Sequence, residues 1–417
     1  MDYITKEDTI IFSLNFNANL DANLISSYTK LIFSNYTLNN KLFEAYENNY
    51  LSNLNYIGSK FNQEVNNLPK SLTHLTFGKN FNKEVNNLPQ GLTHLIFGKN
   101  FNQEVNALPQ NITHLIFGWK FNQEVNKLPQ GLTHLFFGEN FNQEVNALPQ
   151  TITHLTFGIC FNQKVDNLPE SLIHLTFGNN FNQKVDNLPE SLIHLTFGNN
   201  FNQEVNALPE SLIHLTFGNN FNQEVNALPQ SLTHLIFGGY FNQEVNVLPQ
   251  SLTHLIFGYD FNQEVNNLPQ NITHLTFGIC FNQKVDNLPE SLIHLTFGIC
   301  FNQNFDLTSS IKYLKLDCNN QYIIDNLPNS LEELELSYSF NLELNNLPTS
   351  IQKIIFNKYS KYNKELNCLS NFVKFLQLPE KYNKKILSLP KELKEIVCSE
   401  DYKYVSDFAG VSVVTYY

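Results

Sequence analysis

Apolar side chains recur along this chain on a fixed 20-residue beat. From Phe61 to residue 300 the unit F-N-Q-E/K-V-N/D-x-L-P-x-x-L/I-T/I-H-L-x-F-G-x-x repeats twelve times without insertion or deletion. Its apolar positions are 1, 5, 8, 12, 15 and 17, and only the L-x-F at 15 to 17 alternates with period two. Such a short alternation predicts a strand of about three residues. Leu-Pro at 8 and 9 fixes a bend and forbids helix there. Gly at 18 ends the strand, through a positive φ or a close backbone approach. No window of the unit carries a helical stripe. One short strand per coil is expected, stacked in parallel on the next, with an irregular return.

Decayed copies extend the pattern both ways. TIIFSLNFNANL (9–20) and NLISSYTKLIFS (23–34) align with the unit, and segments such as DNLPNSLEELEL and YNKKILSLPKELKEIV carry it to about residue 397. Three regions follow: 1–60 as diverged repeats forming an N-terminal cap, 61–300 as twelve regular repeats, and 301–417 as diverged repeats with a C-terminal cap. Composition agrees with tandem copying. All 16 prolines follow Leu, all 12 histidines stand at coil position 14, and 12 of the 17 glycines follow Phe. Independent domains would not partition residue types this way. The spacing L-x-x-L-x-F is that of leucine-rich repeats at the short end of their range of roughly 20 to 29 residues. The expected fold class is a repeat solenoid, a leucine-rich-repeat-like right-handed superhelix. It has one short parallel β-strand per 20-residue coil and little or no helix on the convex side. A three-sided β-helix would need strand-like alternation on every side.

The units, for example FNQEVNALPQSLTHLIFG, resemble the FNIP repeat, a leucine-rich-like repeat known from amoebae and from large DNA viruses that infect them. The family unit is commonly about 22 residues with Pro after F-N-x. Here Glu64 or Lys164 stands at that place and the unit is two residues shorter. The resemblance implies a solenoid without enzymatic activity. An F-box, fused to such repeats in some relatives, would make a ubiquitin-ligase substrate adaptor, and this is the alternative function. Residues 1–60 and LPKELKEI near residue 390 read as repeats, which argues against an F-box.

Charge narrows the partners. A formal net charge of −12 without a single arginine disfavours nucleic acid, whose phosphates call for clustered Lys and Arg. No apolar run approaches the roughly 18 to 20 residues that span a bilayer, and the acidic start MDYITKEDTIIF is unlike a secretory signal. Six cysteines without CxxC spacing suit a reducing compartment. A cytoplasmic monomer that binds protein partners is expected, with no cofactor, no membrane and no nucleic acid.

Two sets of residues are candidates for that contact. The first is the column at position 14, including His114, His134, His154, His234 and His254, which faces outward beside the buried Leu at 15. Stacked coils set these rings about 4.8 Å apart. Zinc requires three or four convergent ligands, and a linear column offers two neighbours. The leading reading is a neutral ladder in which each imidazole hydrogen-bonds the next; a pH-responsive or metal-binding column is the alternative. The second set is the variable edge at positions 19 and 20, where Trp119, Ile159, Tyr240 and Tyr259 are large and unexpected on a loop. They are spread over seven coils. Asn at position 2, present in all twelve units, is expected to satisfy turn backbone as a buried amide. Glu at position 4 (Glu64, Glu104 and their equivalents) reads as a solvated stripe, since identical exposed carboxylates lack the contrasting environments of an acid–base pair.

Overall fold

A computed structural model describes residues 2–39, 41–47, 57–367 and 369–416. Backbone contacts divide the chain into two compact units, residues 1–203 with 207–212, and 204–206 with 213–417. In the first, the antiparallel pair β1 (Tyr3–Lys6) and β2 (Thr9–Phe12) begins a ladder. It continues in parallel through β3 (Lys30–Phe33), β4 (His74–Thr76), β5 (His94–Ile96), β6 (His114–Ile116), β7 (His134–Phe136), β8 (His154–Thr156), β9 (His174–Thr176) and β10 (His194–Thr196). The second unit holds β11 to β15, which begin at His214, His234, His254, His274 and His294. These are followed by β16 (Tyr313–Leu316), β17 (Glu333–Leu336), β18 (Lys353–Phe356), β19 (Phe375–Gln377), β20 (Glu395–Ser399) and β21 (Ser412–Tyr416), all paired in parallel. This is the expected solenoid of short parallel strands. Its decayed coils hold the anticipated register, with Thr9 opposite Lys30 and Lys30 opposite His74.

The six apolar positions of each regular coil all face inward. In coil five, Phe141, Val145, Leu148, Ile152, Leu155 and Phe157 are each almost wholly buried, a burial that stabilises by about 1.5–3 kcal/mol per large side chain. The phenylalanines at 17 and 1 form a double stack. Phe137 lies face to face with Phe141 at 3.7 Å between ring centroids, and each ring also lies over its equivalent one coil away at about 6 Å. Towards the C-terminal end, Tyr362, Tyr382 and Tyr402 replace the position-1 Phe and keep the stack at 6.0–6.3 Å, with Phe408 lying on Tyr402.

Backbone groups outside the strands are satisfied coil by coil. The N–H at coil position 12 donates to the carbonyl of the proline at position 9 in the same coil, as from Leu132 to Pro129 at 3.2 Å. The Oδ1 of each position-2 asparagine accepts from the N–H of the next, as Asn142 does from Asn162 at 2.8 Å, and from the following Gln Nε2 at 3.2 Å. The amides thus satisfy the turn as expected, but they are half-buried or exposed rather than buried. Glycine at 18 is required for close approach and not for a positive φ. A Cβ on Gly158 would run into the carbonyl of Gly138 one coil away, and positive φ occurs among the described glycines only at Gly58 and Gly410.

Among the described residues three short α-helices depart from the repeat: α1 (Ala22–Ile25), α2 (Lys41–Glu47) and α3 (Gln321–Asp325). The second has functional weight. Lys30 and its partner His74 are 44 residues apart, against 20 for regular coils (74 − 30 = 44). The surplus chain carries α2, whose Leu42 is buried with Ile11; Ile4, Ile32, Tyr36, Leu38 and Tyr46 pack around them. Ile11 and Ile32 point out from the sheet, on the side opposite the core, so α2 covers the strand face.

Candidate interaction surface

Strand alternation puts the leucine at coil position 15 in the core and positions 14 and 16 on the outer face. The histidines at 14 form stacked columns in both units. Ring centroids are 4.2–4.3 Å apart from His74 to His194 with planes within 17°, and 4.1–4.2 Å apart from His214 to His294. This corrects the hydrogen-bonded ladder. Imidazole donors and lone pairs lie in the ring plane, and parallel rings cannot exchange them. The partner is instead the hydroxyl at position 13, where Thr133 Oγ1 lies 2.9 Å from His134 Nδ1. That hydroxyl also donates to the Thr113 carbonyl at 3.0 Å. Having a single proton, it must accept from Nδ1–H, which leaves the Nε2 lone pair free to face outward. The same arrangement holds at His74, His94, His114, His154, His234, His254 and His274.

Burial of the ring, reinforced by neighbouring histidines, lowers the pKa of His94, His114, His134, His154, His234 and His254, and that of His274 to about 4. At His74 burial acts first and Lys30 second. These imidazoles are neutral at pH 7. Their parallel lone pairs do not converge on a point, and among the described residues no three His, Cys, Asp or Glu side chains group to hold a metal.

Position 16 is the second outward column, and sequence reasoning passed over it. Most coils carry Thr there, but Ile96, Ile116 and Phe136 follow one another on β5, β6 and β7, and Ile236 and Ile256 form a pair in the second unit. Phe136, Ile236 and Ile256 are exposed. Their departure from Thr was the available signal.

The edge residues separate into groups. Trp119, 43% exposed, carries Lys99 Nζ over its ring at 3.8 Å. It lines a groove of about 580 Å³ together with Tyr36, Tyr46, Ile96 and Ile116. Tyr240 and Tyr259, 58% and 53% exposed, stand on consecutive coils joined where Asp260 N–H donates to the Gly239 carbonyl at 2.7 Å. Ile159 is exposed on a coil edge between those of Glu139 and Asn179 and belongs to neither group. At the far end of the second unit ion pairs enter both outward columns: Lys353 with Glu333 at 2.9 Å in line with the histidines, and Lys315 with Glu335 in line with Thr296 at position 16. No helix among the described residues is long and apolar enough to cross a membrane.

Comparison with known proteins bears on this surface through the fold. The FNIP Repeat family model matches twelve overlapping stretches that together run from residue 61 to residue 359. Among solved structures, CroV588, described as a novel circular LRR protein, is similar over 96% of this chain and 68% of its own, with 39% identity and a TM-score of 0.78. YopM from Yersinia enterocolitica is similar over 80% and 79%, at 22% identity and a TM-score of 0.49. No curated protein matches.

Proposed function

This chain belongs to the FNIP repeat family, and we propose that it is a non-enzymatic scaffold that binds protein partners on its strand face. The observation that supports this most directly is the arrangement of outward positions 14 and 16. A neutral imidazole column runs beside apolar side chains that break an otherwise Thr-lined column. Nothing in the fold needs Ile116, Phe136, Ile236 or Ile256 to be apolar, since Thr serves the same place in other coils. Apolar groups clustered on a surface, beside an exposed tryptophan or tyrosines, are the composition of contact centres. The partner is a protein rather than a nucleic acid, because a chain of net charge −12 repels phosphates.

Face-directed charge tests the reading. Paired substitutions Ile116→Lys with Phe136→Lys, and Ile236→Lys with Ile256→Lys, are compared with Glu104→Lys and Glu124→Lys on the return side. In affinity capture followed by in-cell crosslinking, partners should be lost with the strand-face pairs and kept with the return-side pair. Equal partner sets for all variants would refute the strand face as the binding surface.

A further inference from the structure

The position-16 column is one continuous row: Ile11, Ile32, Thr76, Ile96, Ile116 and Phe136 stand opposite one another on successive strands. Its first two members are already covered by a helix. Leu42, near the start of α2, is buried against Ile11 with Ile32 and Tyr46 packed beside them. Tyr46, one turn on, borders cavities shared with Thr76 and Ile96. The helix therefore advances along the row. Past Thr76 the row continues as Ile96, Ile116 and Phe136, of which Phe136 is exposed, and the exposed Trp119 joins Ile96 and Ile116 at the groove's edge.

We propose that Ile96, Ile116, Phe136 and Trp119 form a docking site for an amphipathic helix of a partner protein, seated as α2 is seated on Ile11 and Ile32. The inference rests on the scaffold reading and names its partner's form. The spacings agree. Coils rise by about 4.8 Å and a helix by about 1.5 Å per residue, so each coil meets about 3.2 helix residues. Partner residues at i, i+3 and i+7 then fall on consecutive members of the row. A partner strand laid the same way would present same-face side chains about 6.7 Å apart, out of step with the coils. Among the described residues, Lys30 and Lys99 are the charged side chains lining the two adjoining cavities, so the helix should carry carboxylates on its flanks.

Trp119 is the chain's single tryptophan, and its emission reports on the groove directly. The full chain is titrated with a stapled, Trp-free peptide of 14 residues bearing Leu at i, i+3 and i+7 and Glu on the flanks. The expected result is a saturable blue shift of Trp119. Binding should weaken at least tenfold in the triple variant Ile96→Thr, Ile116→Thr, Phe136→Thr, which installs the residue that other coils carry and so keeps the fold. Ile236→Thr with Ile256→Thr should leave binding unchanged, and a peptide of the same composition with alternating apolar residues should not bind. An unmoved Trp119 spectrum, or a triple variant that binds as the parent does, overturns the inference. If the peptide fails while Phe136→Lys variants still lose captured partners, only the helical form is wrong. If capture is also indifferent to strand-face charge, the scaffold reading falls with it.

Discussion

Acid should weaken this solenoid well before its carboxylates titrate. Eight imidazoles, His74 to His154 in the first unit and His234 to His274 in the second, have pKa values lowered by burial first, and by neighbouring charged groups second. The unfolded chain takes up these protons near pH 6.5 and the folded chain takes them up lower, down to about 4 at His274. Folded-state stability is therefore complete above about pH 6.5 and is lost as pH falls through the folded values. The size of the effect follows from ring spacing. Two charged rings about 4.2 Å apart repel by about 1 kcal/mol in water-like surroundings and about 4 kcal/mol at an effective dielectric of 20. Consecutive coils consequently resist charging together, and roughly half of the eight rings stay neutral where the unfolded chain is fully protonated. A deficit of about four protons gives a slope near 5 kcal/mol per pH unit. Water reaches the outer ring edges, and screening reduces this to about 3. Urea unfolding followed by circular dichroism at pH 7.5, 6.5, 5.5 and 4.5 should show a falling midpoint from about pH 6.5 downward. Replacing His94 and His134 by Gln should raise the pKa of His114, read by NMR, while leaving it below 6.5 because burial persists. A midpoint flat from pH 7.5 to 5, or imidazoles titrating at or above 6.5, would refute the reasoning.

Other perturbations separate the columns. Gly158→Ala drives a Cβ into the Gly138 carbonyl, whereas the nearest atom to a Cβ at Gly239 is 3.5 Å away. The first should cost about 3 kcal/mol, the upper range for overpacking, and Gly239→Ala almost nothing; a comparable loss at both sites in thermal melts would discount the close approach. Asn142→Ala removes the acceptor of Asn162 N–H and Gln163 Nε2 and should destabilise by about 1–2 kcal/mol. Asn142→Asp keeps that acceptor and should lose less, with hydrogen exchange at the Asn162 amide as the readout. Phe141→Ala opens the double stack at a fully buried ring, with an expected loss of about 3–5 kcal/mol in chemical denaturation.

Much of this architecture could be read from residue spacing because each coil repeats the same environments. Leu155 and Phe157 face inward and His154 outward as period-two alternation requires, and Asn142 binds backbone because a turn must satisfy its amides. What escaped were properties fixed by the distance between coils. Whether His134 hydrogen-bonds or stacks on His114 depends on ring planes, which Thr133 Oγ1 sets through Nδ1. That Gly158 serves contact rather than a turn becomes visible only when Gly138 lies against it. The α2 segment was hidden for another reason: its Leu42 and Tyr46 pack on Ile11 and Ile32, partners outside its own sequence window. Of the edge residues, Trp119 gained its meaning from Ile96 and Ile116, which spacing alone did not bring to it.

The coil-to-coil bonds of the regular repeats have a mechanical consequence. Coil three is held to coil two by amides of Thr113, His114 and Lys120, by Phe97 N–H on Ile116, and by Asn102 on Asn82, and the next junction repeats the set with Thr133, His134, Asn140, Phe117 and Asn122. Each of these bonds joins adjacent coils. Under tension a coil at the free end of a unit can peel away without disturbing the junction beyond its neighbour. Twenty residues extend to about 68 Å and vacate about 4.8 Å of stacked rise, so a stretched unit would lengthen in equal steps of about 63 Å. The protein would behave less as a rod that snaps than as a ratchet that yields one tooth at a time.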